Sequence, residues 1–265
     1  MAYHQKEHSM TELPDYLHIV GLDIETVPLP VDGFTEGQMR RFELDVARKH
    51  ERIKGTPDEG MTDEEISNLI RATNPMLGWV CCISVVRSDL DGNRQPGRSY
   101  ACASVEEEGA MLAEFWEAIE LLERSAADEY AEQIRGKRIY NDPGPVQWVT
   151  LNGKDFDIPF LFARSAKYRI NLPSSGLRST YAFSHDPHCD LKMLFGKGVY
   201  FRLADLCDHL GIPHTKGDID GSMVPDYIEA GKLEDVIAYC QSDVERTLDC
   251  YFAARGVIPA RGAKW

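Results

Sequence analysis

The chain has 265 residues, 43% hydrophobic and 27% charged, the balance of an ordinary soluble globular protein with length enough for a sizeable core. Its formal net charge of −14 excludes a protein that coats nucleic acid by bulk electrostatics, though not an enzyme that holds a few nucleotides at a local site. No apolar run has the length of a membrane span. The seven cysteines are odd in number and form no CxxC pair, which excludes a disulfide framework and a zinc finger and fits a reducing, cytoplasmic setting.

Residues 1–16 are polar, lack the apolar segment of a secretory signal, and are read as a flexible leader. His18 to Thr26 then reads as a buried strand, stopped by Val27-Pro28-Leu29-Pro30. Strand residues two apart share a face, so Asp23 and Glu25 lie side by side while Ile24 points away. Two such carboxylates repel each other and lose hydration, and burying them is costly without a partner. A hard divalent cation held by oxygen ligands relieves that cost.

Residues 34–73 read as a helical insertion or lid after the first strand. Phe34, Met39, Phe42 and Val46 fall near helical spacing, and Gly55-Thr56-Pro57 breaks the run. Thr62 and Glu65 then form a capping box ahead of Ile66, Leu69 and Ile70. Trp79 to Arg87 is apolar enough for a central strand, and Arg98 to Ala103 returns beside it as a hairpin. Val105 to Glu123 is an amphipathic helix with Met111, Leu112, Phe115, Ile119 and Leu122 inward. Its acidic face, including Glu106, Glu107, Glu108, Glu114 and Glu123, is expected to be solvated.

A loop over 136–145 leads to a strand at Val146 to Leu151. Asn152-Gly153 turns the chain, and Phe156 to Tyr168 is helical, with Pro159 tolerated in the first turn. A long loop covers 171–187 and a short strand or turn covers 189–195. Helices follow at Leu203 to Leu210, Val224 to Ala230 and Leu233 to Ala253. This order predicts one α/β domain over 17–256 with a tail at 257–265. Asp157 sits at the turn from strand to helix, where Asp also suits an N-cap. Tyr239 and Asp243 are four apart and so share one helix face.

Asp23-Ile-Glu-Thr26, then Asn152-Gly-x-x-Phe-Asp157-x-Pro159, then Tyr239-x-x-x-Asp243, resemble in order and spacing the three motifs of the DnaQ-like (DEDD) 3′–5′ exonucleases. Leu203 to Pro213, Lys216 to Gly221 and Tyr239-Cys240 resemble in particular the predicted exonucleases related to the proofreading domain of family-B DNA polymerases. The likeness covers roughly residues 17–253. It implies a ribonuclease H-like fold, a mixed five-stranded sheet flanked by helices. It also implies hydrolysis with two divalent metal ions, Mg²⁺ or Mn²⁺.

Carried over, Asp23 would bridge both ions, Glu25 and Asp243 would complete the site of the ion that activates water, and Asp157 would serve the second. Tyr239 would orient the attacking water, since its phenol is too weak an acid for general-base work. Thr26, Asn152 and Phe156 would approach the terminal nucleotide. The histidine variant of the family needs His five positions before the last Asp, but position 238 is Ala, so the chain resembles the tyrosine variant. His185 stands five before Asp190, but Pro187 between them disfavours the helix that motif needs, and Asp190 is read as structural.

The implied substrate is the 3′ end of single-stranded nucleic acid, DNA favoured, shortened by nucleoside 5′-monophosphates. Alternatives are an exoribonuclease of the same fold and a catalytically silent nucleic-acid-binding module. A polymerase or repair partner would be a separate chain, and no membrane is implied. Basic residues such as Arg164, Lys167, Arg178, Lys192, Lys197 and Lys216 are expected to line the nucleic-acid path.

Overall fold

The computed structural model describes residues 15–135, 144–182, 184–196, 198–214 and 219–259. Leader residues 1–14, positions 136–143 of the expected loop, Lys197, positions 215–218 with Lys216, and the tail from 260 lie outside the described residues.

Five strands form one sheet in the order β3-β2-β1-β4-β5. They are β1 (His18–Pro28), β2 (Gly78–Ser88), β3 (Arg98–Ala101), β4 (Val146–Thr150) and β5 (His188–Asp190). β1 pairs antiparallel with β2 and parallel with β4; β2–β3 is antiparallel and β4–β5 parallel. This mixed sheet flanked by helices is the ribonuclease H-like α/β fold that the motifs imply. The helices are α1 (Glu36–Ile53), α2 (Asp63–Ala72), α3 (Glu108–Gln133), α4 (Asp157–Lys167), α5 (Leu191–Gly196), α6 (Leu203–Leu210), α7 (Val224–Glu229) and α8 (Leu233–Ala254).

The alternation along β1 assigns its two faces. Val20, Leu22 and Ile24 pack into one apolar cluster with Leu112, Phe115 and Trp116 of α3 and Ile158 and Leu161 of α4. Ile19 belongs to a second cluster with Leu206 of α6 and Val244 and Leu248 of α8. Asp23 and Glu25 continue the odd-numbered face. Gly21 shares it too, and a Cβ there would come within 2.8 Å of Val244 Cγ1 and 2.9 Å of Leu248 Cγ. The missing side chain thus lets α8 lie close against β1, one turn beyond Asp243.

α1 and α2 fill the expected insertion, and both open on capping boxes, Thr35–Gln38 and Thr62–Glu65. α2 is tied to β1: Thr26 Oγ1 donates to the Ala72 carbonyl at 2.8 Å, and Arg71 Nη1 donates to the Leu29 carbonyl at 2.6 Å. β3 stops at Ala101, two residues short of the expected end. α3 runs ten residues past its expected end at Glu123, because no glycine or proline interrupts the sequence and Ala126 and Tyr130 find buried positions.

Two expectations about charge are corrected. Glu108 is not on a solvated face: it is fully buried and ion-paired with Arg164, Nη2 to Oε2 at 2.5 Å. Arg164 is therefore part of the interior rather than of a nucleic-acid path. Glu123 likewise turns inward, accepting from Trp148 Nε1 at 2.7 Å and Ser175 Oγ at 2.6 Å. Amphipathic spacing marks which helix face is buried, but not which carboxylates at its border have found buried donors.

Candidate active site

Asp23 and Glu25 stand opposite Ser84 and Cys82 on β2, and the ladder shifts register between Glu25 and Thr26. Such a bulge increases local twist and re-aims the side chains beside it. The two carboxylates and the Cys240 thiol offer ligand atoms that all lie within 4.8 Å of one another. Cys240 Sγ also donates to the Asp23 carbonyl at 3.5 Å, tying α8 to β1 at the site.

Asp157 is the first residue of α4. The expected N-cap role is corrected: Phe156 occupies the cap position and makes no side-chain cap bond. The turn before α4 is set from β5, since Asp190 accepts backbone N–H groups of Asn152 at 2.8 Å, Lys154 at 3.0 Å and Lys192 at 2.9 Å. Asp190 is thus structural, as read from sequence. Asn152 takes a left-handed conformation, φ 69°, which Asn tolerates better than most residues. Lys154, buried beneath the turn, donates to the carbonyls of Tyr181 at 2.8 Å and Ser184 at 2.5 Å. A lysine in an Asn-Gly turn carries no sequence signal of that role.

Tyr239 and Asp243 come from α8. The Tyr239 hydroxyl interacts with the Asp243 carboxylate and feels the charges of Glu25 and Asp23. Asp243 Oδ1 faces Arg246 Nη1 at 3.2 Å, an i,i+3 pair that the sequence reading missed and that helical charge spacing signals. The structure therefore brings together all five residues of the three motifs.

The electrostatics follow from this crowding. Burial, then the charges of Asp157, Glu25 and Asp243, push the Asp23 carboxyl well above its usual range. Burial and Asp243 do the same to Glu25. Burial raises Asp157 to about 7, partly opposed by backbone N–H groups, including that of Ile24. Asp243 is raised by burial and pulled back by Arg246. Burial and Asp243 raise the Tyr239 phenol, which keeps its proton. Asp157 is 2% exposed, and its Oδ1 is enclosed with no hydrogen-bond partner. An enclosed carboxylate oxygen without a donor, beside three more carboxylates, fits a divalent cation held by hard oxygen ligands.

Thr26 and Phe156 line a cavity that opens beside Glu25, and Asn152 lies outside that lining. The seven cysteines are buried and free, and among the described residues no helix is long and apolar enough to cross a membrane.

No curated protein matches the chain. Residues 119–257, just over half of its length, match a family described as predicted 3′–5′ exonucleases related to the exonuclease domain of PolB. The match takes in Asp157, Tyr239 and Asp243; Asp23 and Glu25 precede it and join the site through the pairing of β1 with β4 and the seat of α8. The chain belongs to this family of predicted 3′–5′ exonucleases related to the exonuclease domain of PolB.

Proposed function

We propose that the protein is a metal-dependent 3′–5′ exonuclease of the tyrosine type, which releases nucleoside 5′-monophosphates from single-stranded 3′ ends. The observation that carries this reading is the convergence of Asp23, Glu25, Asp157 and Asp243 on one buried volume, with Asp157 Oδ1 left without a donor. The relation to PolB favours DNA. Seven buried free thiols agree with a reducing cytoplasm.

The four carboxylates would hold two divalent ions, Mg²⁺ or Mn²⁺. Such ions, when bound, polarise the phosphodiester and make water a nucleophile near neutral pH. The chain's own contribution is placement. Asp23 and Glu25 are fixed by the β1–β2 ladder, Asp157 by the Asp190-anchored turn, and Asp243 by α8 packed on Gly21. Tyr239 keeps its hydroxyl proton and so acts by orienting water, not by taking a proton from it. Thr26 and Phe156 are proposed contacts for the terminal nucleotide, with Asn152 at the turn beside them.

Purified protein with Mg²⁺ or Mn²⁺ is expected to shorten a 5′-labelled single-stranded oligonucleotide stepwise from its 3′ end. EDTA or Asp23→Ala should lower the rate by on the order of 10³-fold or more. Shortening that persists in EDTA would sink the metal mechanism. Matched RNA run alongside shows whether the preference is for DNA. Tyr239→Phe should keep the fold and lower kcat by about 10–100-fold with little change in KM, as expected of a positioning group. An unchanged kcat would show that the hydroxyl is not needed.

A further inference from the structure

Among the described residues, Tyr200 is the most exposed of the large apolar side chains, at 76%. The aromatic face it leaves in water is surface that a flat partner would remove from water. The ring is nevertheless held. Arg202 Nε donates to its hydroxyl at 3.1 Å, and Lys192 Nζ lies 6.0 Å from its centroid, at the edge of cation–π range. Two cations thus fix the ring while most of it stays open, so a ligand stacking on it has little side-chain freedom to freeze.

This patch starts at the turn that sets Asp157. Asp190 Oδ1 accepts the backbone N–H groups of both Asn152, at 2.8 Å, and Lys192, at 2.9 Å. α5 therefore leaves β5 at the point where the turn toward α4 leaves β4. The register pairs Gly21 with Val149 and Thr150 with Asp190, all in parallel ladders. Asp23 thus lies just past the end of β4, at the same end of the sheet as Asp190. A strand that leaves the catalytic carboxylates across β4 and β5 meets Lys192 and then Tyr200.

The charge pattern on this side favours a polyanion. From Ile158 to Ala204 the sequence has seven lysines and arginines and only two carboxylates, Asp186 and Asp190, in a chain with 43 acidic residues. Both carboxylates are engaged: Asp186 accepts from the Tyr16 hydroxyl, and Asp190 from backbone N–H groups. Arg202 feels the charges of Asp205 and Asp220, and Asp205 accepts the Arg202 backbone N–H at 2.8 Å. Among the described residues neither Lys192 nor Arg202 forms an ion pair, so each keeps its charge for a phosphate. An open ring flanked by cations suits a single strand, whose bases have free faces to stack; in a duplex those faces already stack on one another.

We infer that Tyr200, Lys192 and Arg202 form a stacking platform for single-stranded nucleic acid, upstream of the 3′ end. Tyr200 takes a base on its open face, and Lys192 and Arg202 take the flanking phosphates. The upstream position of that base rests on the exonuclease reading; the binding does not, and the test separates the two.

Binding of a 5′-labelled dodecathymidylate to the full chain is measured by fluorescence anisotropy in EDTA, beside a strand of equal length made of abasic sites. Tyr200→Ala should weaken the thymidylate by about tenfold and leave the abasic strand unchanged. Tyr200→Phe keeps the ring and should bind thymidylate within about threefold of wild type. The double variant Lys192→Gln, Arg202→Gln should flatten the slope of log Kd against log salt by about 1 for both strands. Thymidylate binding indifferent to Tyr200→Ala, equal weakening of the abasic strand, a Phe variant as weak as the Ala variant, or an unchanged salt slope overturns the platform. Oligonucleotides shortened with Mg²⁺ by a chain whose binding is indifferent to Tyr200→Ala would remove the platform alone. Ring-dependent binding in a chain that shortens no oligonucleotide would remove the exonuclease reading alone.

Discussion

Asp157→Asn should make the metal-free protein more stable at pH 8 while abolishing exonuclease activity. Asp157 is 2% exposed, its carboxyl is raised to about 7 by burial, and its Oδ1 has no donor. A carboxyl with a raised folded-state pKa binds its proton more tightly in the folded chain than in the unfolded one. Its stabilising effect is therefore complete below the unfolded value near 4 and is lost as pH rises to about 7. Metal-free wild type should lose stability across that window, and Asp157→Asn should flatten the profile. The relief at pH 8 is on the order of 2–4 kcal/mol, or a rise in melting temperature of about 5–10 °C. Mg²⁺ at saturating concentration should stabilise wild type at pH 8 and do much less for the variant. Thermal scans in EDTA and in Mg²⁺ at pH 5 and pH 8 check this. A variant no more stable than wild type at pH 8 in EDTA would mean that the cost of burying this carboxylate is already relieved without metal.

That conflict between stability and function is visible in β1 from sequence alone. Period-2 alternation puts Asp23 and Glu25 on the face opposite Ile24, and the structure keeps that assignment. Strand order is less legible, because β1 sits between β2 and β4 and each β1–β4 pair, such as His18 with Val146, joins residues 128 apart in the chain. The motifs supplied what periodicity does not, the association of Asp157 and Asp243 with that edge. The supports of the site were harder to read. Asp190, Lys154 and Gly21 act through backbone bonds or through a missing Cβ, and neither leaves a pattern at fixed spacing. Cys240 has no CxxC partner, so cysteine spacing gave no reason to place its thiol beside Asp23 and Glu25.

Glu108→Ala is expected to be among the most destabilising single substitutions outside the catalytic set. The Glu108 side chain is 0% exposed and that of Arg164 3%. Oε1 accepts from Arg164 Nε at 2.9 Å and from the Val80 backbone N–H at 2.8 Å, and Oε2 accepts from the Tyr168 hydroxyl at 2.8 Å. One carboxylate therefore joins the start of α3 to β2 and α4. Removing it leaves the buried guanidinium without its counter-charge and the Val80 N–H without its side-chain acceptor, while the Tyr168 hydroxyl keeps the Val105 carbonyl at 3.0 Å. Breaking a buried pair from one side costs roughly 3–5 kcal/mol, about 10 °C in melting temperature for a chain of this size. Arg164→Met alone should cost a similar amount, by stranding the carboxylate. The double variant Glu108→Ala, Arg164→Met should recover part of the loss, because no buried charge is left over, but not all of it, since the Val80 N–H has lost its side-chain acceptor. Urea denaturation of the four proteins gives the coupling directly. Additive losses would show that the two charges are solvated independently, not paired. The effect reaches the site through α4: Arg164 lies two turns after Asp157 on the same helix, so the pair that anchors the helix also sets where Asp157 begins it.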